Sequence, residues 1–115
     1  MASYKLTIRS GPKVRRKRFE TLDHALEALE LEGRELERAA DGRAVGGTLM
    51  RRIEPVQRVL GRLELAGPGR LRAGIDVRRD GSSEAFTGRV PRRLLRQEPG
   101  ESAYETLRRT VMERS

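Results

Sequence analysis

Cysteine, tryptophan and asparagine are absent from this chain of 115 residues, and histidine occurs once. Without cysteine there is no disulfide framework, no thiol nucleophile and no cysteine-bearing zinc or iron–sulfur site. A single histidine, His24, excludes any motif that grips a metal through two of them. Tyr4, Phe19, Phe86 and Tyr104 are the only aromatic residues, so the core must be built mostly from Leu, Val, Ile and Ala. Uninterrupted apolar runs last only a few residues, which predicts neither a membrane span nor a signal peptide. The length suits one small domain. The expectation is a cytoplasmic protein with no cofactor, no metal and no evident small-molecule substrate.

Charge is what the sequence has in quantity, and it is segregated. Residues 1–19 hold seven bases and no acid, residues 20–41 eight acids and two bases, and residues 51–96 twelve bases and five acids, within a formal net charge of +8. Such separation implies a basic and an acidic face, and basic faces attract phosphate polymers and anionic surfaces. Arginine outnumbers lysine 22 to 3. With no Asn and frequent Gly and Ala, that excess is also what GC-rich coding places on neutral surface positions, so charge that serves only solubility is the competing reading. A modest core makes pairing with a second copy a way to bury more apolar surface, which predicts a homodimer.

Tyr4, Leu6 and Ile8 alternate with Lys5, Thr7 and Arg9, the pattern of a half-buried strand. Ser10-Gly11-Pro12 supplies a turn, and Lys13 to Phe19 returns as a second strand. Thr21 reads as a helix N-cap, with Asp23 in the first turn. Leu22, Ala25, Leu26, Leu29, Gly33, Leu36 and Ala40 make one apolar stripe over residues 22–40, and Asp41-Gly42 is expected to end the helix. Gly33 inside the stripe signals either close packing or a break. Residues 42–55 read as a basic linking loop with a short helical turn at 48–53. Beyond Pro55 the period becomes two. Val59, Gly61, Leu63 and Leu65 form one strand, Leu71, Ala73, Ile75 and Val77 the next, and Phe86, Gly88 and Val90 a third, stopped by Pro91. Ala66-Gly67-Pro68-Gly69 and Asp80-Gly81 are the intervening turns, giving an antiparallel meander. Ser102-Ala103-Tyr104-Glu105 matches a capping box ahead of a helix over about 103–113.

The order is ββ-α-βββ-α, an α+β domain with an antiparallel sheet and helices packed on one face. It divides into a hairpin plus acidic helix (4–41), a linker (42–55) and a three-stranded meander plus C-terminal helix (56–115). The two halves share a logic of strands, basic stretch and capped helix, with slight residue identity.

Catalytic patterns find no anchor. His24 falls in the first turn of the acidic helix with no nucleophile beside it. Gly42-Arg43-Ala44-Val45-Gly46-Gly47-Thr48 has phosphate-loop glycine spacing, but no lysine follows the last glycine and a helix, not a strand, precedes it. Acids such as Asp23 and Glu27 space along a solvated helix face. No Glu-x-Lys pair accompanies Asp76 or Asp80, so a metal-dependent nuclease is not supported. The expectation is a non-enzyme.

The basic segments are the candidate site. Lys13, Arg15, Arg16, Lys17 and Arg18 crowd the return strand, where Arg15, Lys17 and Phe19 share one face and Val14, Arg16 and Arg18 the other. Arg72 and Arg78 project from the meander. Arg92, Arg93 and Arg96 follow the last strand and would gather if that stretch were a helical turn, with Leu94 and Leu95 then buried. An Arg-rich ribbon can lie along phosphates or in a groove; a charged edge strand that blocks aggregation is the alternative. Few aromatics interleave the clusters, which disfavours single-strand binding by base stacking.

Tyr4-x-Leu6-x-Ile8, a short turn, the run Lys13–Arg18, Phe19-x-Thr21 and Ala25 resemble the Arm-type, AP2-like DNA-binding domain of phage integrases. The resemblance covers about the first 40 residues. It implies a small sheet that reads the major groove, with Lys13, Arg15, Arg16, Lys17 and Arg18 facing DNA, Phe19 under the helix, Thr21 capping it and Ala25 facing the sheet. That family's sheet has three strands where two are read here, and no recombinase core follows. The α-β-β-β-α order of residues 22–113 is also similar to double-stranded RNA-binding domains, whose lysine-rich helix start is replaced here by Ser102-Ala103-Tyr104-Glu105. These readings converge on duplex nucleic acid, DNA before RNA, as the partner. A protein–protein or self-assembling structural role for the acidic helix and basic sheet is the alternative.

Overall fold

The computed structural model describes residues 3–46, 59–89 and 91–114. β1 (Tyr4–Ser10) and β2 (Lys13–Phe19) form a hairpin, and α1 (Leu22–Gly46) follows. β3 (Val59–Gly67), β4 (Leu71–Arg78) and β5 (Ser83–Thr87) form the meander, β6 (Arg93–Leu94) is a two-residue edge, and α2 (Ala103–Arg114) comes last. All six strands join in one antiparallel sheet of order β2-β1-β3-β4-β5-β6. The α+β architecture read from the sequence is therefore present. Hairpin and meander share a sheet because β1 pairs with β3, Leu6 opposite Leu65 and Ile8 opposite Leu63.

The alternation in β1, β3 and β4 decides which face the helices cover. Leu6, Ile8, Leu63, Leu65, Ala73, Ile75 and Val77 are buried in one cluster with Ala25, Leu26 and Leu29 of α1 and Tyr104, Leu107 and Val111 of α2. Burying each such Leu, Ile or Val contributes about 1.5–3 kcal/mol. The Thr21 hydroxyl accepts from the His24 amide at 3.1 Å and caps α1. The capping box of α2 is complete: the Ser102 amide donates to Glu105 Oε1 at 2.8 Å and the Glu105 amide to Ser102 Oγ at 3.1 Å. Just before it, Arg109 Nε donates to Glu101 Oε2 at 2.7 Å, and the Glu98 amide and Thr106 hydroxyl donate to Oε1. The Arg109 guanidinium above all, then these two donors, holds the Glu101 carboxyl down to about 2.

Gly33 is a site of close packing, not a break. A β-carbon there would stand 2.7 Å from Tyr104 Cε1, so the ring of α2 lies directly on the α1 backbone. The Tyr104 hydroxyl donates to Glu37 Oε2 at 2.7 Å, and Arg34 covers the ring at 4.6 Å from its centroid. Burial first, and the Glu37 carboxylate with it, pushes the Tyr104 hydroxyl above the ordinary tyrosine range.

Four expectations need correction. The first helix does not stop at Asp41-Gly42 but runs to Gly46. An interior glycine costs only about 1 kcal/mol, and no proline forces the chain out before Pro55. Residues 42–46 are thus helix, not linker; the turn placed at 48–53 lies outside the described residues. The third meander strand ends at Thr87, because Gly88 takes φ +85; Val90 lies outside the described residues. Phe86 sits on the opposite face from the one its grouping with the apolar positions implied. Ala85 and Thr87 pair with Ile75 and Ala73 on the helix side, and Phe86 pairs with Gly74 on the other. Finally, residues 92–96 are not a helical turn. Thr87 pairs with Arg93 and Phe86 with Leu94, and the Leu95 amide donates to the Ala85 carbonyl at 2.9 Å, satisfying the otherwise open edge of β5. Leu94 is consequently 58 % exposed instead of buried.

One backbone feature stands apart. In the β3–β4 turn, where the Leu71 amide meets the Pro68 carbonyl, Gly69 and Arg70 both have positive φ, +69° and +63°. Arg70 is the one non-glycine residue in that region among those described. The left-handed conformation costs an L-residue roughly 1–2 kcal/mol relative to glycine.

Candidate nucleic-acid interface

Strand pairing fixes the composition of the sheet face that neither α1 nor α2 covers. One row runs Arg18, Lys5, Ala66, Arg72 across β2, β1, β3 and β4. The next runs Arg16, Thr7, Glu64, Gly74, Phe86, Leu94, and the third Val14, Arg9, Arg62, Asp76, Glu84. Arg78 lies beyond the third row, and Arg92 reaches the face from just ahead of β6.

The three carboxylates sit together toward the third row and are all occupied. Arg62 Nε donates to Asp76 Oδ1 at 2.6 Å and Arg92 Nη1 to Asp76 Oδ2 at 3.2 Å. Arg9 donates to Glu64 at 3.1 Å, and Arg78 pairs with Glu84. Asp76, 7 % exposed, is roofed by its two guanidiniums. The first row and its neighbours are different. Lys5, Arg16, Arg18, Arg72 and Arg89 meet no carboxylate among the described residues. Lys5, Arg16, Arg72 and Arg89 line a shallow depression of about 200 Å³ whose one acid, Glu64, is held by Arg9. The face is thus half balanced and half uncompensated cation.

Phe86 also lines the depression and packs against Gly74, where a β-carbon would stand 2.6 Å from Phe86 Cζ. Phe86 is 2 % exposed, with the Arg92 guanidinium over its ring 4.7 Å from the centroid. It takes no part in the helix-side core.

Of the ten basic residues singled out in the sequence, Arg16, Arg18, Arg72, Arg78 and Arg92 come together on this face. Arg15 and Lys17 do not: they face the helix side and bind Glu32 of α1 at 2.6 and 2.8 Å. Those two cations hold the Glu32 carboxyl below the usual carboxylate range. Lys13 sits opposite Ser10 at the hairpin turn. Arg93 is on the helix side, and Arg96 lies past β6, where its carbonyl accepts from Arg109 at 3.4 Å. Lys5, Arg9, Arg62 and Arg89 were not in the predicted set, although the period-two alternation of β1 and β3 puts the first three opposite the apolar positions. Thr21 caps α1, and Ala25 is buried in the cluster between helix and sheet.

For other chemistry, the described residues contain no group of three or more His, Cys, Asp or Glu side chains able to hold a metal. His24 is exposed at the first turn of α1. No described helix is long and apolar enough to cross a membrane. Comparison of the chain with protein-family models, with curated proteins and with solved structures gives no match in any of the three.

Proposed function

We propose that this domain binds duplex nucleic acid, DNA before RNA, through the sheet face away from its helices, and that it is not an enzyme. The observation that carries this is the group Lys5, Arg16, Arg18, Arg72 and Arg89: five cations on one side of the fold without carboxylate partners among the described residues. Phosphates supply the missing charge, and released counterions drive association. A six-stranded sheet is about 24 Å across at roughly 4.8 Å per strand. That exceeds the major groove, about 12 Å wide, which admits a helix or a two-stranded ribbon. The face therefore tracks phosphates and binds with little sequence preference. DNA is favoured because the first turn of α2, Ser102-Ala103-Tyr104-Glu105, holds no cation where double-stranded RNA-binding domains place theirs for the two-groove contact.

Five neutralised phosphates give a log–log salt slope near −4.5, so affinity falls about 500-fold between 50 and 200 mM salt. Fluorescence anisotropy of a labelled duplex at several salt concentrations tests this. Absence of binding at the lowest salt, or a flat response, refutes it.

A second reading rests on a different surface. The outward side of α1 carries Asp23, Glu27 and Glu35 around Leu31, which is 71 % exposed. Such a face suits docking on the basic sheet of a partner protein or a second copy. Light scattering after size exclusion, with the 260/280 nm absorbance ratio of the same peak, separates the two. A nucleic-acid-free oligomer that dissociates with salt favours assembly.

A further inference from the structure

At the end of the sheet where β3 turns into β4, a cleft of about 570 Å³ opens beside α2. Tyr4, Leu71 and Val111 give it apolar lining; Arg70, Arg72 and Arg93 line it too, and none of the described lining residues is a carboxylate. No described carboxylate pairs with any of these three guanidiniums. Three like charges around one cavity repel one another, and an anion between them relieves that repulsion. Arg70 and Gly69, at φ +63° and +69°, are the two central residues of the β3–β4 hairpin turn, and that turn sets the Arg70 guanidinium at the cleft.

We propose that this cleft binds a phosphate monoester carried by a nucleoside. The phosphate lies between Arg70 and Arg93, whose planar forks match its oxygens. The nucleoside lies against Tyr4 and Leu71. Tyr4 is held for this, since it packs over Gly67 so closely that a β-carbon there would stand 2.5 Å from the ring. The volume falls in the range of small-molecule sites, about 300–1,000 Å³. The apolar lining is what selects a nucleotide over free phosphate. The site goes beyond duplex binding and does not depend on it: Arg93 lies on the helix side of the sheet and Arg70 in the turn, and Arg72 alone is shared with the sheet-face cations.

Calorimetric titration of the full chain with AMP, adenosine and inorganic phosphate is the test. AMP is expected to bind at least about tenfold more tightly than either control. Arg70→Gly removes the guanidinium while relaxing the backbone. It should raise Tm by roughly 4 °C and weaken AMP about tenfold. Arg93→Gln should weaken AMP similarly while leaving duplex affinity within about twofold. AMP binding no tighter than phosphate, or an unaltered AMP affinity in Arg70→Gly, overturns the proposal. Competition by a 5′-phosphorylated duplex but not its 5′-hydroxyl twin assigns the cleft to strand ends, and competition by neither assigns it to free mononucleotides. Both uphold a phosphate-monoester site. If duplex binding itself fails its salt test, the AMP result still decides this question.

Discussion

Tyr104 of α2 rests on the backbone of α1 at Gly33, so near that a β-carbon on Gly33 would stand 2.7 Å from Tyr104 Cε1. Two effects oppose each other at this position. Alanine gains about 1 kcal/mol of helix propensity. It also displaces a ring whose hydroxyl is bonded to Glu37 at 2.7 Å and whose face is covered by Arg34. Overpacking costs about 1–3 kcal/mol and the lost buried hydrogen bond about 1 kcal/mol more. Gly33→Ala should therefore destabilise by about 1–3 kcal/mol and lower Tm by roughly 5–15 °C. A thermal melt checks it; a Tm at or above wild type would mean that α2 shifts freely.

Face, not net charge, should govern duplex affinity. Arg16→Glu with Arg18→Glu, and Arg15→Glu with Lys17→Glu, change the formal charge equally on the same strand. The first pair removes cations from the helix-free face. The second changes side chains that already meet Glu32 on the other side. The first double variant is expected to lose about 100-fold in affinity at low salt, the second about fivefold or less. Equal losses would show that the strand acts only through its total charge.

Asp76 should trade stability against affinity. It is 7 % exposed and receives both Arg62 and Arg92. Both partner side chains remain 30 % exposed, so solvent screens part of the interaction. Asp76→Ala is expected to cost about 2 kcal/mol in urea unfolding, below the 3–5 kcal/mol of a fully buried pair. It also leaves two more uncompensated guanidiniums. Measured where the variant is folded, duplex binding should tighten and the salt slope steepen by about 1–2. Weaker binding by folded Asp76→Ala would count against the sheet face as the site.

Acid should loosen the start of α2. Glu101 titrates at about 2 in the folded chain against an ordinary value of 4.5. A carboxyl with a depressed folded value contributes stability that is complete above the unfolded value and disappears as pH falls through the folded one. The Tm difference between wild type and Glu101→Gln should hence be full at pH 6, shrink from pH 4.5 downward and vanish near pH 2. A constant difference over that interval would mean that charge on Glu101 is irrelevant.

Most of the fold was legible because period and capping chemistry are local. Leu6 and Ile8, the stripe from Ala25 to Ala40, and Ser102 with Glu105 each declare their element within a few residues. What escaped was settled across the sheet. Phe86 looks like a core aromatic until Ala85 is seen to face α2 and Gly74 to leave room on the far side. Residues 92–96 become a strand because β5 had an unpaired edge, which no local pattern records. Glu32 is five residues past Glu27 and reads as another solvated acid, yet it draws Arg15 and Lys17 to the helix side. Half of the candidate site was therefore readable from alternation alone, and Lys5 and Arg9 were visible in the same alternation but overshadowed by the denser run on β2.

The layering of charge has a kinetic consequence. The acid-rich helix and the uncompensated cations occupy opposite sides of a sheet one strand-layer thick, so charge among the described residues is polarised across that sheet. In the field of a long polyanion this produces a torque that turns the cationic side inward before contact. Under the proposed duplex binding, more collisions should begin in a productive pose, and the association rate should decline with added salt over distances set by the Debye length, about 10 Å at 0.1 M.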